Sequence, residues 1–232
     1  MKVLAVSVGT VRPLPWRGRA LLSGIRKAPV DGPVDVTPLG LAGDEQGDRK
    51  HHGGPGRAVL LYPAEHYAAW APLLGPLVWP AFGENLTTTG LLESDVVLGS
   101  VYTVGTVVLQ TTQPRRPCHR LAAHHRVDDL AVHMQRTGRT GFYGRVLGAG
   151  HVEAGDRIAL VQRPRHGITA AEAHRVLNVD RDDLPAARYL LDHADVLPDS
   201  WAALLRRRLD GHLDDQIARL HGNSPDTAKE SR

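Results

Sequence analysis

Up to about Pro164 the chain consists of short β-branched runs separated by glycine; beyond it the strand signal stops and capped helical stretches begin. This change of texture constrains the fold more than any other feature. A period-two run needs a sheet, and a 3.6-period run needs a surface on which to lay its apolar stripe. The clearest run covers residues 101–111, rich in Val and Thr and divided by Gly105, which predicts a bulge or tight bend. Residues 96–98 and 154–161 have the same character, the latter opening on a Gly155-Asp156 turn. With 24 glycines and 16 prolines in 232 residues, turns are frequent enough to favour a barrel or a curled mixed sheet over a helical bundle.

Two helices are expected to interrupt the strands. One runs from Pro63 to Leu74 with Tyr67, Trp70, Ala71 and Leu74 at helical spacing; the other runs from Asp128 to Arg136 with Leu130, Ala131 and Met134 on one face. Past Pro164, Thr169-Ala170-Ala171-Glu172 is a capping box that opens a helix. Asp183-Leu184-Pro185 starts a second and Ser200-Trp201 a third, broken at Gly211 and resumed to Leu220. The reading is a β domain over residues 1–164, a three-helix appendage over 167–220 and a disordered tail over 221–232.

The net charge of +3 and the single short basic block, Arg206-Arg207-Arg208, argue against nucleic acid as a polymer partner. No apolar run reaches the roughly 18 residues that span a bilayer. The start, Met1 to Gly9, reads as a first strand rather than an export signal, and with one free thiol a cytoplasmic location is expected.

That thiol, Cys118, sits in Gln113-Pro114-Arg115-Arg116-Pro117-Cys118-His119-Arg120. A lone cysteine forms no intramolecular disulfide, and neighbouring cations favour the thiolate, the form that attacks or binds metal. The plainer alternative is a small buried apolar side chain. Arg115, Arg116 and Arg120 have the fork geometry for a phosphate or carboxylate. Three other segments stand out. In residues 43–54 the adjacent histidines His51 and His52 would point to opposite faces of a strand and make a poor zinc site; His52 and Gly53 read better as groups close to a ligand. Residues 82–90 form a loop offering Glu84, Asn85 and three threonines as donors and acceptors. In residues 137–145, glycines at 138, 141 and 144 leave backbone amides open for an anion, with Arg139 and Arg145 adding charge. The spacing matches neither a P-loop nor a dinucleotide fingerprint.

Together these segments resemble the MOSC family, named for the C-terminal domain of molybdenum cofactor sulfurases, and within it the YiiM-like bacterial subgroup with a three-α extension. The resemblance rests on Gly43-Asp44-Glu45-Gln46, His52-Gly53-Gly54, Phe82-Gly83-Glu84-Asn85-Leu86-Thr87-Thr88, Pro117-Cys118 and Gly138-Arg139-Thr140-Gly141-Phe142-Tyr143. Thr137 and Phe142 stand where the family more often has serine and tryptophan. The resemblance implies a β-barrel with flanking helices and a molybdenum cofactor. Cys118 would be catalytic and the metal ligand, with His52, Gly53, Asn85, Arg115, Arg139, Thr140, Gly141 and Arg145 around the pterin and its phosphate. It implies two-electron reduction of an N-hydroxylated base such as 6-hydroxylaminopurine. No flavin or nicotinamide fingerprint is visible, so electrons would come from a partner reductase.

Two other readings stay open. Cys118 could carry a persulfide for sulfur transfer, or the chain could be a non-enzymatic module binding anions or a partner, its helices serving homodimerisation or docking. Pyridoxal phosphate is disfavoured, because Lys50 is the only lysine in the four segments and has no evident pyridine-binding partner.

Overall fold

The computed structural model describes residues 1–47 and 53–222. Among the described residues thirteen strands are formed: β1 (Lys2–Val8), β2 (Arg12–Trp16), β3 (Arg19–Ser23), β4 (Ala28–Pro29), β5 (Val34–Thr37), β6 (Gly40–Leu41), β7 (Val59–Pro63), β8 (Leu86–Thr89), β9 (Val101–Val104), β10 (Val107–Pro114), β11 (Phe142–Gly148), β12 (Gly150–Val152) and β13 (Ile158–Gln162). Eight of them join in the order β13-β9-β10-β11-β7-β8-β1-β4, antiparallel except for the β7–β8 pair. That parallel pair is joined by a crossover containing α1 (Tyr67–Leu74), as parallel neighbours require.

The expected bend at Gly105 is a two-residue hairpin turn: Val104 pairs with Val107, and Gly105 has φ +57. The expected barrel, however, is not closed. Where β1 meets the chain leading into β13 there is one bridge, Lys2 to Arg157, and three backbone hydrogen bonds of 2.9–3.0 Å, not a ladder. A second correction concerns residues 86–89, read as loop. They form β8, buried on both faces, so the polar/apolar alternation that marks a half-exposed strand is missing from Leu-Thr-Thr-Thr.

Helix α2 (His119–His125) was not anticipated, whereas α3 (Leu130–Thr137) lies within two residues of expectation and ends on Gly138 in the left-handed region. After the sheet come α4 (Ala170–His174), which continues as a π-turn over Arg175–Val179, then α5 (Leu184–Asp192), α6 (Asp199–Leu209) and α7 (Ile217–His221). The capping box is present, with Thr169 Oγ1 accepting from Glu172 N at 3.1 Å. These helices number four, not three, because the break at Gly211 separates α6 from α7.

They do not form a core of their own. Ala187, Leu190, Trp201 and Leu205 belong to the same buried cluster as Leu98, Phe142 and Val146 of the sheet region. Burying such side chains gives about 1.5–3 kcal/mol each, which ties the helices to the sheet. A second cluster joins Tyr62, Tyr67, Trp70 and Phe82 to Leu121 of α2 and Met134 of α3. Among the described residues no helix is long and apolar enough to cross a membrane.

Candidate functional site

Cys118 ends the segment that leaves β10 and stands at the N-cap of α2 with extended backbone. Its residue is buried but lines an open-mouthed cavity. The walls come from five separated stretches: residues 22–25 and Lys27 at the end of β3 and just after it, Glu45-Gln46-Gly47, Gly53 and Arg57 before β7, Gly83 and Asn85 before β8, and Arg115 and Arg120 around the cysteine, with Tyr143 of β11. Close approach of backbones explains the glycines. A Cβ on Gly24 would lie 2.0 Å from the Glu45 carbonyl oxygen, and Gly53 has φ +103 with Gln46 Oε1 2.8 Å from where its Cβ would be.

Charge in the walls is predominantly positive: Lys27, Arg57, Arg115 and Arg120 against Glu45. Arg115 is fixed at both ends, its backbone N–H donating to Gly141 O at 3.0 Å and its Nη1 to Phe82 O at 2.6 Å. Lys27 Nζ pairs with Asp44 Oδ1, both side chains being almost fully buried. Burial holds the Lys27 pKa below its ordinary value, and Asp44 opposes that shift. Burial likewise pushes the Tyr143 phenol up. Among the described residues no three His, Cys, Asp or Glu side chains gather as a metal cage.

Of the residues anticipated from sequence, Cys118, Arg115, Gly53 and Asn85 come together around this cavity. His52, with Lys50 and His51, lies outside the described residues. The role expected of Asn85 needs correction. Its Nδ2 donates to Asp44 Oδ2 at 2.9 Å and to Ser7 O at 3.4 Å, and its Oδ1 accepts from Leu60 N at 3.0 Å, so its amide organises the wall.

Thr140 and Gly141 are corrected too. Their backbone N–H groups are not open to a ligand: both donate to Glu93 Oε1, at 2.9 and 2.7 Å, while Glu93 Oε2 meets His66 Nε2 at 2.7 Å. A buried side-chain carboxylate therefore occupies the anion nest that the sequence offered. Arg139 is half-buried outside the cavity wall, its carbonyl accepting from Tyr62 Oη. Arg145 is exposed and lines a neighbouring groove that shares Gly53 and Arg57 with the cavity. Arg116 turns away, to Asn178 and Asp214.

Sequence reasoning missed Lys27 and Arg57, and gave Glu45 and Tyr143, which stand in the quoted motifs, no role of their own. Locally Lys27 is marked only by its neighbour Arg26 in Gly24-Ile25-Arg26-Lys27. Lys27 also brings a lysine to the cavity, where the case against pyridoxal phosphate had considered Lys50 alone.

A profile of the MOSC domain matches residues 48–159. The Escherichia coli (strain K12) protein named YiiM is 42% identical over 206 residues, covering 86% of this chain and 91% of that one. The crystal structure of YiiM from Geobacillus stearothermophilus superposes with a TM-score of 0.75 at 34% identity, covering 90% of this chain and 98% of that chain. A Gibberella moniliformis protein named reductase is 35% identical over 165 residues, which are 69% of this chain and 29% of that protein.

Proposed function

The chain belongs to the MOSC domain family, and from that premise we propose that it is a molybdenum-cofactor-dependent reductase of N-hydroxylated compounds, with Cys118 as the protein's ligand to the metal. The observation that carries this reading is the lining of one cavity by the only cysteine together with Lys27, Arg57, Arg115 and Arg120. The residues fit the group on chemical grounds. A thiolate is a soft ligand suited to a metal whose other donors are sulfur, and the cationic wall suits an anionic pterin phosphate. A metal delivered within a cofactor needs one protein ligand, not a cage.

When bound, the cofactor would supply two-electron chemistry at molybdenum. The residues of the chain bind and orient. Cys118 contributes one sulfur, and the positive surroundings favour its anionic form. Arg115, held rigid by Phe82 and Gly141, presents its remaining N–H groups without a large rotamer cost. Lys27, its Nζ anchored by Asp44, would stand beside the bound anion. The overall conversion is R–NHOH plus two electrons and two protons to R–NH₂ and water. An N-hydroxylated base such as 6-hydroxylaminopurine is the proposed substrate. A separate reductase is the proposed electron donor and the cytoplasm the proposed location. The fungal relative named reductase supports the reductive direction.

Molybdenum analysis tests the reading. Protein purified from a cofactor-competent host should carry about one molybdenum per chain, and Cys118→Ser should carry none while remaining folded. Full metal retention with unchanged reductase activity in Cys118→Ser would overturn it. An extra sulfur atom on Cys118 after incubation with a cysteine desulfurase, with no molybdenum bound, would favour sulfur transfer instead.

A further inference from the structure

The groove beside the cysteine cavity is walled, among the described residues, by Gly53 to Arg57, by Thr112 and Gln113 of β10, by Arg145 of β11, and by Val196 and Pro198 ahead of α6. Successive residues of a strand point to opposite faces, yet Thr112 and Gln113 both line it. The cause is a break in register: Thr111 pairs with Gly144 and Gln113 with Tyr143, so β10 carries one residue more than β11. Thr112 Oγ1 donates to Gly56 O at 2.6 Å and lies 3.2 Å from Tyr143 O, which pins the glycine loop to the sheet. Gln113 is different. It is 4% exposed, and among the described residues no group is hydrogen-bonded to its side-chain amide. A buried amide left so is less favourable than an apolar side chain of its size, unless something in the groove meets it.

The surroundings say what would meet it. Gln113 is the register partner of Tyr143, a residue of the cavity wall, and Arg145 stands two residues further along β11. The three side chains therefore leave the sheet on one face, with Gln113 and Tyr143 as opposed neighbours where groove and cavity join. The Gln113 amide offers a carbonyl acceptor and an N–H donor side by side. That pair complements a heterocycle whose exocyclic N–H adjoins a ring nitrogen. The rest of the wall suits a flat ring. A Cβ on Gly54 or Gly56 would meet no heavy atom within 4 Å, so their backbones lie uncovered, while Val196 and Pro198 add an apolar side.

We propose that this groove seats the ring of an aminated heterocyclic base and that Gln113 is the residue that selects it. The exocyclic nitrogen lies at the Tyr143 end, facing the cavity, and the ring extends toward Arg145 and solvent. An N-hydroxylamino group keeps one N–H on that nitrogen, as the amine does, so the same contact serves substrate and product. The assignment rests on the reductase reading for the identity of the reacting group, but not for the recognition of the ring.

Adenine, an aminated purine, and unsubstituted purine, which lacks the exocyclic amine, are the probes. Each is dialysed to equilibrium against protein purified from a cofactor-competent host, with molybdenum measured on the same samples. We expect adenine to bind about tenfold more tightly than purine, and Gln113→Leu to lower adenine affinity at least about tenfold and bring the two probes within about twofold. Because no protein partner is lost, Gln113→Leu should melt no lower than the unaltered chain. A folded Gln113→Leu protein that binds adenine as the unaltered chain does would overturn the assignment, as would an unaltered chain that prefers purine. A variant that loses adenine binding and thermal stability together would make Gln113 a structural residue and overturn it equally. Should Gln113→Leu not fold, Gln113→Met is judged by the same criteria. Gln113-dependent adenine binding in protein that never carries molybdenum would leave the groove assignment standing and remove the molybdenum reading. Molybdenum-bearing, active protein whose adenine affinity ignores Gln113 would remove the groove assignment alone.

Discussion

Asn85 Nδ2 donates to Asp44 Oδ2 at 2.9 Å across 41 residues of sequence, and the other oxygen of the same carboxylate takes Lys27 Nζ and the Gly9 backbone N–H. One carboxylate thus joins β1, the segment after β3 and the turn before β8 along one side of the cysteine cavity. Removing it would leave a buried ammonium unpaired. Asp44→Ala should therefore lower stability by about 3–5 kcal/mol, read as a fall in urea midpoint, whereas Asp44→Asn should cost less. Equal midpoints for Asp44→Ala and the unaltered protein would show that the hub contributes nothing.

Glu93 is the structural occupant of the amide nest at Thr140 and Gly141. Glu93→Ala strands two buried N–H groups and should cost about 3 kcal/mol. Glu93→Gln keeps an acceptor oxygen for them and should recover part of that loss. Hydrogen exchange at the Thr140 and Gly141 amides would check this, with faster exchange expected in Glu93→Ala.

Gly24 lies against the Glu45 carbonyl, 2.0 Å from the position of an added Cβ. Gly24→Ala requires one backbone to move and should destabilise by about 1–3 kcal/mol, with a smaller cavity and weaker anion binding. Gly56→Ala, with no heavy atom within 4 Å of the added Cβ, is the control. A thermal scan of both variants would separate local crowding from the general effect of replacing glycine.

Stability should fall as pH drops from about 6.5 to 4. Burial, reinforced by His125, Arg26 and Arg115, holds the His124 pKa near 4, and burial also lowers His119, His125 and His174. Within that window the unfolded chain binds protons that the folded chain does not, so stability rises with pH. His124→Gln should flatten the dependence of urea midpoint on pH by on the order of 1 kcal/mol, after allowance for residual solvent access. An unchanged slope would remove His124 as a contributor.

Much of the cavity was legible because some chemistry is local. Cys118 and Arg115 share one short segment, and Gly53 and Asn85 lie in segments whose residue types are uncommon together. Helix α2 escaped notice because His-Arg-Leu-Ala-Ala-His-His is two turns long and follows a proline-rich stretch, too short for its apolar positions to repeat. Lys27 escaped because its partner Asp44 is 17 residues away and the other cations of the cavity are farther still.

By itself the sequence determined the strand-rich region up to Pro164, a break in the strand run at Gly105, the capped helix after Thr169 and a cationic setting for its one sulfur. These follow from side-chain period and backbone freedom, which act over a few residues. Only the tertiary structure decided that the sheet stays open, that the last helices share the core of the strands, and that Glu93 rather than a ligand fills the Thr140–Gly141 amides. Those outcomes depend on which buried charge or face finds which partner across tens of residues, and no local pattern encodes the choice of partner.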